Sequence, residues 1–148
     1  VFDEAALRGI AATASVIRHG PVDPAWTADA EEALGFPLPE SCRWWSAEYG
    51  CTSIARQDML TLAPPEFRDD ADQDLVYVRK LDVSSGARPL DRLCFFVPSL
   101  EESFAFDLAR YDQGEHPVIR EDALGGGDHA YARSFAEFME RQRAECEG

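Results

Sequence analysis

Apolar side chains recur along this chain at helical spacing first and at strand spacing later. Residues 2–18 read as one helix, with Leu7, Ile10, Ala14 and Ile17 on a shared face, and His19-Gly20-Pro21 ends it. Thr27 is the expected N-cap of a second helix running to Leu34, with Asp29 in its first turn, and Gly35 stops it. Pro39 stands where a third helix begins, because a first-turn N–H has no intrahelical partner to lose. Leu38, Cys42, Trp45 and Tyr49 then form one apolar stripe, and Gly50 follows at the C′ position, where a left-handed residue ends a helix cheaply. Cys51 to Ala55 reads as a short strand. Ala63-Pro64-Pro65 breaks the periodicity, and Glu66 to Asp74 reads as a loop holding five acids and one arginine. Leu75 to Val83 fits a strand through Val76-Tyr77-Val78 and a helix through Leu75 and Val78, and the pattern leaves both open.

From Leu93 the period changes. Leu93-Cys94-Phe95-Phe96-Val97 is a buried-strand run interrupted by Pro98-Ser99, and Phe104-Ala105-Phe106-Asp107 alternates large and small residues across a second strand. A polar turn over Tyr111 to Glu115 contains Gly114, and Pro117-Val118-Ile119 opens a third strand. Such short connections imply an antiparallel meander. Gly125-Gly126-Gly127-Asp128 reads as a flexible loop. Ser134-Phe135-Ala136-Glu137 is a capping box, opening a last helix with Phe135, Phe138, Met139 and Gln142 on one side. The expected fold is α+β in a single domain, 1–148: N-terminal helices, a mainly antiparallel β-meander sheet and a closing C-terminal helix.

Charge changes the picture most. The 148 residues carry 28 acids against 14 bases, a formal net charge of −14. The excess is spread out, with 9 acids and 4 bases through Ala63 and 19 and 10 beyond it. Such a field repels nucleic acid and anionic membranes and attracts basic partners, while also serving solubility. Lys80 is the only lysine beside 13 arginines, a composition of GC-rich bacterial genomes. Cys42, Cys51, Cys94 and Cys146 are scattered without a C-x-x-C pair, so reduced thiols and a cytoplasmic location are expected. No apolar run approaches the ~18 residues a membrane span needs. Because the numbering starts at Val1, the lack of a leader says little.

Catalytic constellations are scarce, and neither an enzyme activity nor a cofactor is expected. The chain has no phosphate-cradling G-x-x-x-x-G-K-[ST], and His19, His116 and His129 lie in separate segments without metal-site spacing. A Cys94 nucleophile with His116 as base is conceivable, yet Cys94 lies between Leu93 and Phe95, where cysteine behaves as a small hydrophobe. The adjacent acids Glu101 and Glu102, or Asp69 and Asp70, lack the separation a glycosidase needs. Asp107 is either a functional acid or a turn former. Trp44 lies about 100° around the helix from Trp45, so it either packs against a neighbouring element or serves as a binding anchor.

Leu34-Gly35-Phe36-Pro37-Leu38-Pro39-Glu40, followed by Trp45 and Tyr49-Gly50, resembles the signature of the SUKH superfamily, which includes yeast cell-wall synthesis regulators and many bacterial proteins. Phe104-Ala105-Phe106-Asp107, Gly114-Glu115-His116-Pro117-Val118 and Ser134-Phe135-Ala136-Glu137-Phe138 agree with it in order, over roughly residues 27–140. Cys51-Thr52 departs from the pattern after Gly50, and little matches across 63–92.

The resemblance implies a non-enzymatic α+β binding domain. Bacterial members are often immunity proteins that neutralise a polymorphic toxin encoded beside them, and many such toxins are basic and act on nucleic acid. Pro39, Trp45, Tyr49, Gly50, Phe106, Asp107, Pro117, Phe135 and Phe138 are then scaffold. The toxin contact falls in the acidic loops: Asp69, Asp70, Asp72 and Asp74 first, Glu101 and Glu102 second, with Trp44 as an anchor. A regulatory scaffold without a toxin partner is the alternative, and a small hydrolase using Cys94 and His116 is a third.

Overall fold

The computed structural model describes residues 2–147. Five helices and a short 3-10 helix flank two antiparallel sheets, so the fold is α+β as the pattern implies. Helix α1 is Glu4–Ala11, capped by Asp3, whose carboxylate accepts the Ala6 N–H at 3.0 Å. It ends much earlier than the 2–18 reading. The chain turns after Ala11, and Val16–Arg18 forms strand β1, paired with β2, Thr52–Ile54. Leu7 and Ile10 are buried, whereas Ala14 and Ile17, assigned to the same helical face, are exposed. Strand β3, Gln57–Asp58, completes this small sheet in the order β1-β2-β3.

Helix α2 is Pro24–Leu34 and starts before the expected cap. Asp23 is the N-cap, accepting the Ala25 N–H at 2.9 Å, with Pro24 in the first turn; Thr27 is a buried residue inside the helix. Helix α3 is Glu40–Glu48, with Pro39 at the N-cap and no side-chain cap of its own. Its first donors are met from far along the chain. The Glu40 N–H donates to the Gly114 carbonyl (2.9 Å), and the Ser41 N–H and hydroxyl donate to the Glu115 carboxylate (2.8 and 2.7 Å). Residues 114 and 115 therefore dock the helix that carries Trp45 onto the second half of the fold.

Residues 75–83, open by pattern, are helical: α4 is Leu75–Ser85, with Asp74 as N-cap and Gly86 in the left-handed conformation behind it. Four strands follow in chain order, β4 (Arg92–Phe96), β5 (Glu102–Asp107), β6 (Val118–Asp122) and β7 (Gly127–Ala132), all antiparallel neighbours. The meander thus has a fourth strand. The glycine run expected to be loop throughout supplies a turn and then the first two residues of β7.

Helix α5, Phe135–Glu147, covers one face of the four-stranded sheet. Phe138 lies against Phe95, Phe96, Phe104 and Tyr131, with ring centroids 4.9–6.0 Å apart. Phe95 and Phe96 both reach it because the register slips between Cys94 and Phe96, a bulge that turns two successive side chains toward one face. The capping box is half realised. The Glu137 N–H donates to Ser134 Oγ (3.1 Å), but the Glu137 carboxylate accepts from the N–H and guanidinium of Arg133. On the sheet's other face, Arg88 binds Glu121, Asp82 and Ser103, and Ser103 Oγ donates to Glu121. Among the described residues, no helix is long and apolar enough to cross a membrane.

Candidate protein-interaction surface

The segment between Leu62 and α4 is built to hold an acidic face outward. Pro64 and Pro65 restrict the backbone, and a 3-10 helix over Pro65–Asp70 follows, closed by Phe67 N–H donating to Pro64 O (2.9 Å) and Ala71 N–H to Arg68 O (3.2 Å). Both ends are tied down. The Thr61 N–H donates to Gln73 O (2.9 Å), and the Leu75 N–H to Thr61 O (2.8 Å).

Asp74 is the latch of this loop and has no exposed surface. Its carboxylate accepts the Tyr77 N–H (2.8 Å), capping α4, and the Ala63 N–H (2.9 Å) on the other side of the loop. Arg68 Nε stands 3.7 Å from it. Asp74 is therefore corrected from a contact residue to a positioning one, since a carboxylate with no exposed surface cannot meet a partner. Replacing it by alanine is expected to destabilise the domain by about 2 kcal/mol, through the lost cap and a stranded Ala63 N–H. Urea denaturation measures this.

The single base of the segment is turned inward. The Arg68 side chain is 12% exposed and donates to Asp29 of α2 at 2.8 Å. Outside stand Glu66, Asp69, Asp70 and Asp72, all exposed; Lys80 Nζ lies 3.2 Å from Asp69, and Arg56 and Arg88 line a cleft with Asp72. Among these acids Phe67 is 58% exposed. The sequence reading passed over Phe67, although a lone large aromatic inside an acid run was a visible signal. An exposed aromatic on a restrained backbone loses little conformational freedom on binding and suits the centre of an interface.

The second group of acids lies at the end of the four-stranded sheet. Glu101 is exposed in the β4–β5 turn, while Glu102 is half-buried and accepts from Arg120 Nε at 2.7 Å. A cleft of about 400 Å³ between the β2–β3 hairpin, α4 and β4 is lined by Asp72 of the first region and by Val97 at the start of the β4–β5 connection, together with Arg56, Asp58, Gln73 and Arg88. Trp44 is half-buried beneath Phe2 and Tyr49 (centroids 5.8 and 6.0 Å), with the Arg8 guanidinium 5.0 Å from its ring. Of its two readings, packing against a neighbouring element describes this placement.

The residues read as scaffold sit in the interior or in turns. Trp45 is buried, its Nε1–H donating to Thr52 Oγ1 (2.7 Å), and it packs on Tyr49 and Phe135. Phe106, Phe135 and Phe138 are fully buried, and Pro39 is buried at the start of α3. Asp107 takes the turn role, accepting the Ala109 N–H at 3.1 Å, and its own N–H donates to Pro117 O (2.9 Å). Burial pushes the Cys94 thiol up to about 12, away from thiolate reactivity. His116 is buried as well, with Nδ1 against the carbonyls of Arg110 and Asp107. Among the described residues, no cluster of three or more histidine, cysteine or carboxylate side chains could hold a metal ion.

A family profile described as SMI1-KNR4 cell-wall, of the SUKH group, matches residues 24–139. No curated protein matches the chain.

Proposed function

The chain belongs to the SUKH family of SMI1-KNR4 cell-wall domains, and we propose that it acts as an immunity protein, binding a basic toxin and masking the surface with which that toxin holds nucleic acid. The observation that carries this reading is the 3-10 segment. It points Glu66, Asp69, Asp70 and Asp72 into solvent around Phe67, and it hides its only base, Arg68, against Asp29. Carboxylates fixed on a restrained backbone mimic a run of phosphates, and a −14 protein steers a cationic partner toward them. Binding in the bacterial cytoplasm without catalysis is part of the proposal. The buried, protonated Cys94 thiol and the backbone-bound His116 give it physical support.

Growth of cells expressing the product of the gene adjacent to this one tests the proposal. Co-expression of this chain is expected to restore growth. The Asp69→Asn, Asp70→Asn, Asp72→Asn triple variant, whose substitutions lie in solvent, is expected to bind the toxin roughly 30-fold more weakly, at about 0.7 kcal/mol per lost charge. If the toxin still arrests growth beside abundant wild-type protein, the immunity reading fails and a regulatory scaffold becomes the better account.

A further inference from the structure

Turns between strands are ordinarily polar, because a large apolar side chain there stays in water and adds nothing to the core. Two turns of this domain break that rule side by side. Leu100, in the β4–β5 turn, is 96% exposed, and Leu124, in the β6–β7 turn, is 75% exposed. The turns are neighbours: Glu102 pairs with Asp122 across β5 and β6, and the Ala123 N–H donates to Glu101 O at 2.9 Å. Each leucine also sits on a fixed turn. The Leu124 N–H donates to Asp122 Oδ1 (2.8 Å), and the Glu101 N–H donates to Ser99 Oγ (3.1 Å). Val97, 47% exposed, extends the apolar surface into the cleft that Asp72 also lines.

We infer that this two-hairpin tip is a second contact for the same basic protein partner, with Leu100 and Leu124 entering an apolar socket while the acidic segment meets its cationic surface. The inference rests on the partner reading above. Continuity argues for one occupant, since Asp72 of the acidic segment and Val97 of the tip border a common cleft. Charge argues for its chemistry. Exposed Glu101 flanks Leu100 and Asp122 stands beside the same turns, while Glu102 is already paired with Arg120, so a cationic residue on the socket's rim is complementary to Glu101. A second copy of this chain would instead bring those carboxylates together within a −14 field. The two contacts divide the work: acids speed encounter and respond to salt, whereas buried leucines slow dissociation.

Surface plasmon resonance with the product of the adjacent gene tests this, using wild type, the Leu100→Ser/Leu124→Ser double variant and the Asp69/Asp70/Asp72→Asn triple variant. Both leucines lie in solvent, so the double variant is expected to melt as wild type does. It should dissociate about tenfold faster or more with an unchanged salt dependence, while the triple variant loses association rate and salt dependence. If the double variant binds as wild type does, the tip inference is overturned and the partner reading stands. If wild-type protein binds nothing at any salt, both fall. If sedimentation shows a wild-type dimer that the leucine substitutions dissolve, a second copy covers the tip and the inference is again overturned.

Discussion

Alanine at Gly50 is expected to destabilise the domain by about 4 kcal/mol or more, enough to unfold much of it at 37 °C. Gly50 follows α3 with φ at +71°, a conformation that costs an L-residue about 1 kcal/mol. The larger cost is steric. A Cβ there would lie 1.6 Å from the carbonyl oxygen of Gly20, and the two backbones cannot separate freely. The Gly20 N–H donates to Tyr49 O (3.1 Å), the Gly50 N–H to Trp45 O (3.2 Å), and the pair forms a parallel bridge joining the end of α3 to the strand after α1. Gly35 is the internal control. It ends α2 at φ +87°, but a Cβ there meets nothing within 4 Å, so Gly35→Ala should cost only the backbone term, about 1 kcal/mol. Thermal melts of the two variants separate clash from conformation. Equal losses would show that the close approach to Gly20 does not constrain the fold.

Removing the Glu115 carboxylate is the second large effect. Glu115 is buried, and both its oxygens are used at the start of α3, one by the Ser41 N–H and one by the Ser41 hydroxyl, itself fully buried. Glu115→Ala strands both donors away from water and removes a negative charge from a helix N-terminus. The expected loss is about 3 kcal/mol. In urea this moves the midpoint by roughly 2 M for a domain of this size. Glu115→Gln keeps one carbonyl oxygen for the Ser41 N–H, while its NH2 can only donate to Ser41 Oγ, so it should recover about half of the loss. A glutamine variant no more stable than the alanine variant would show that packing around residue 115, not its hydrogen bonds, holds α3 in place.

What the sequence made legible follows how local each cause is. The stripe through Leu38, Trp45 and Tyr49 and the alternation in Phe104–Asp107 are local patterns, and both elements occur where those patterns place them. The first helix was over-extended because Ala14 and Ile17 continue a helical spacing by coincidence. What ends the helix is the pairing of β1 with residues 52–54, almost forty positions away. Strand β7 was hidden for a related reason: Gly127, Asp128, His129 and Ala130 are all exposed and carry no alternation, so only their partners on β6 make them a strand. The start of α2 was readable and misjudged, since Asp23-Pro24 is a better helix opening than Thr27.

The same division holds at the interaction surface. Asp69, Asp70 and Asp72 stand exposed in the acidic segment, as a charge run suggests, but nothing local distinguishes Asp74 from them. Its burial comes from closing the loop against Ala63, eleven residues back. The inward turn of Arg68 is likewise invisible in sequence, because its partner Asp29 belongs to α2.

The central claim is that a preorganised acidic surface binds a basic protein toxin. Titration calorimetry of wild-type protein with the product of the adjacent gene, at about 0.05 M and about 0.5 M salt, tests it most directly. The account predicts a one-to-one complex whose affinity falls at least tenfold at the higher salt, with the Asp69/Asp70/Asp72→Asn variant losing most of that dependence. A complex of equal affinity at both salts, or no complex at either, would contradict it.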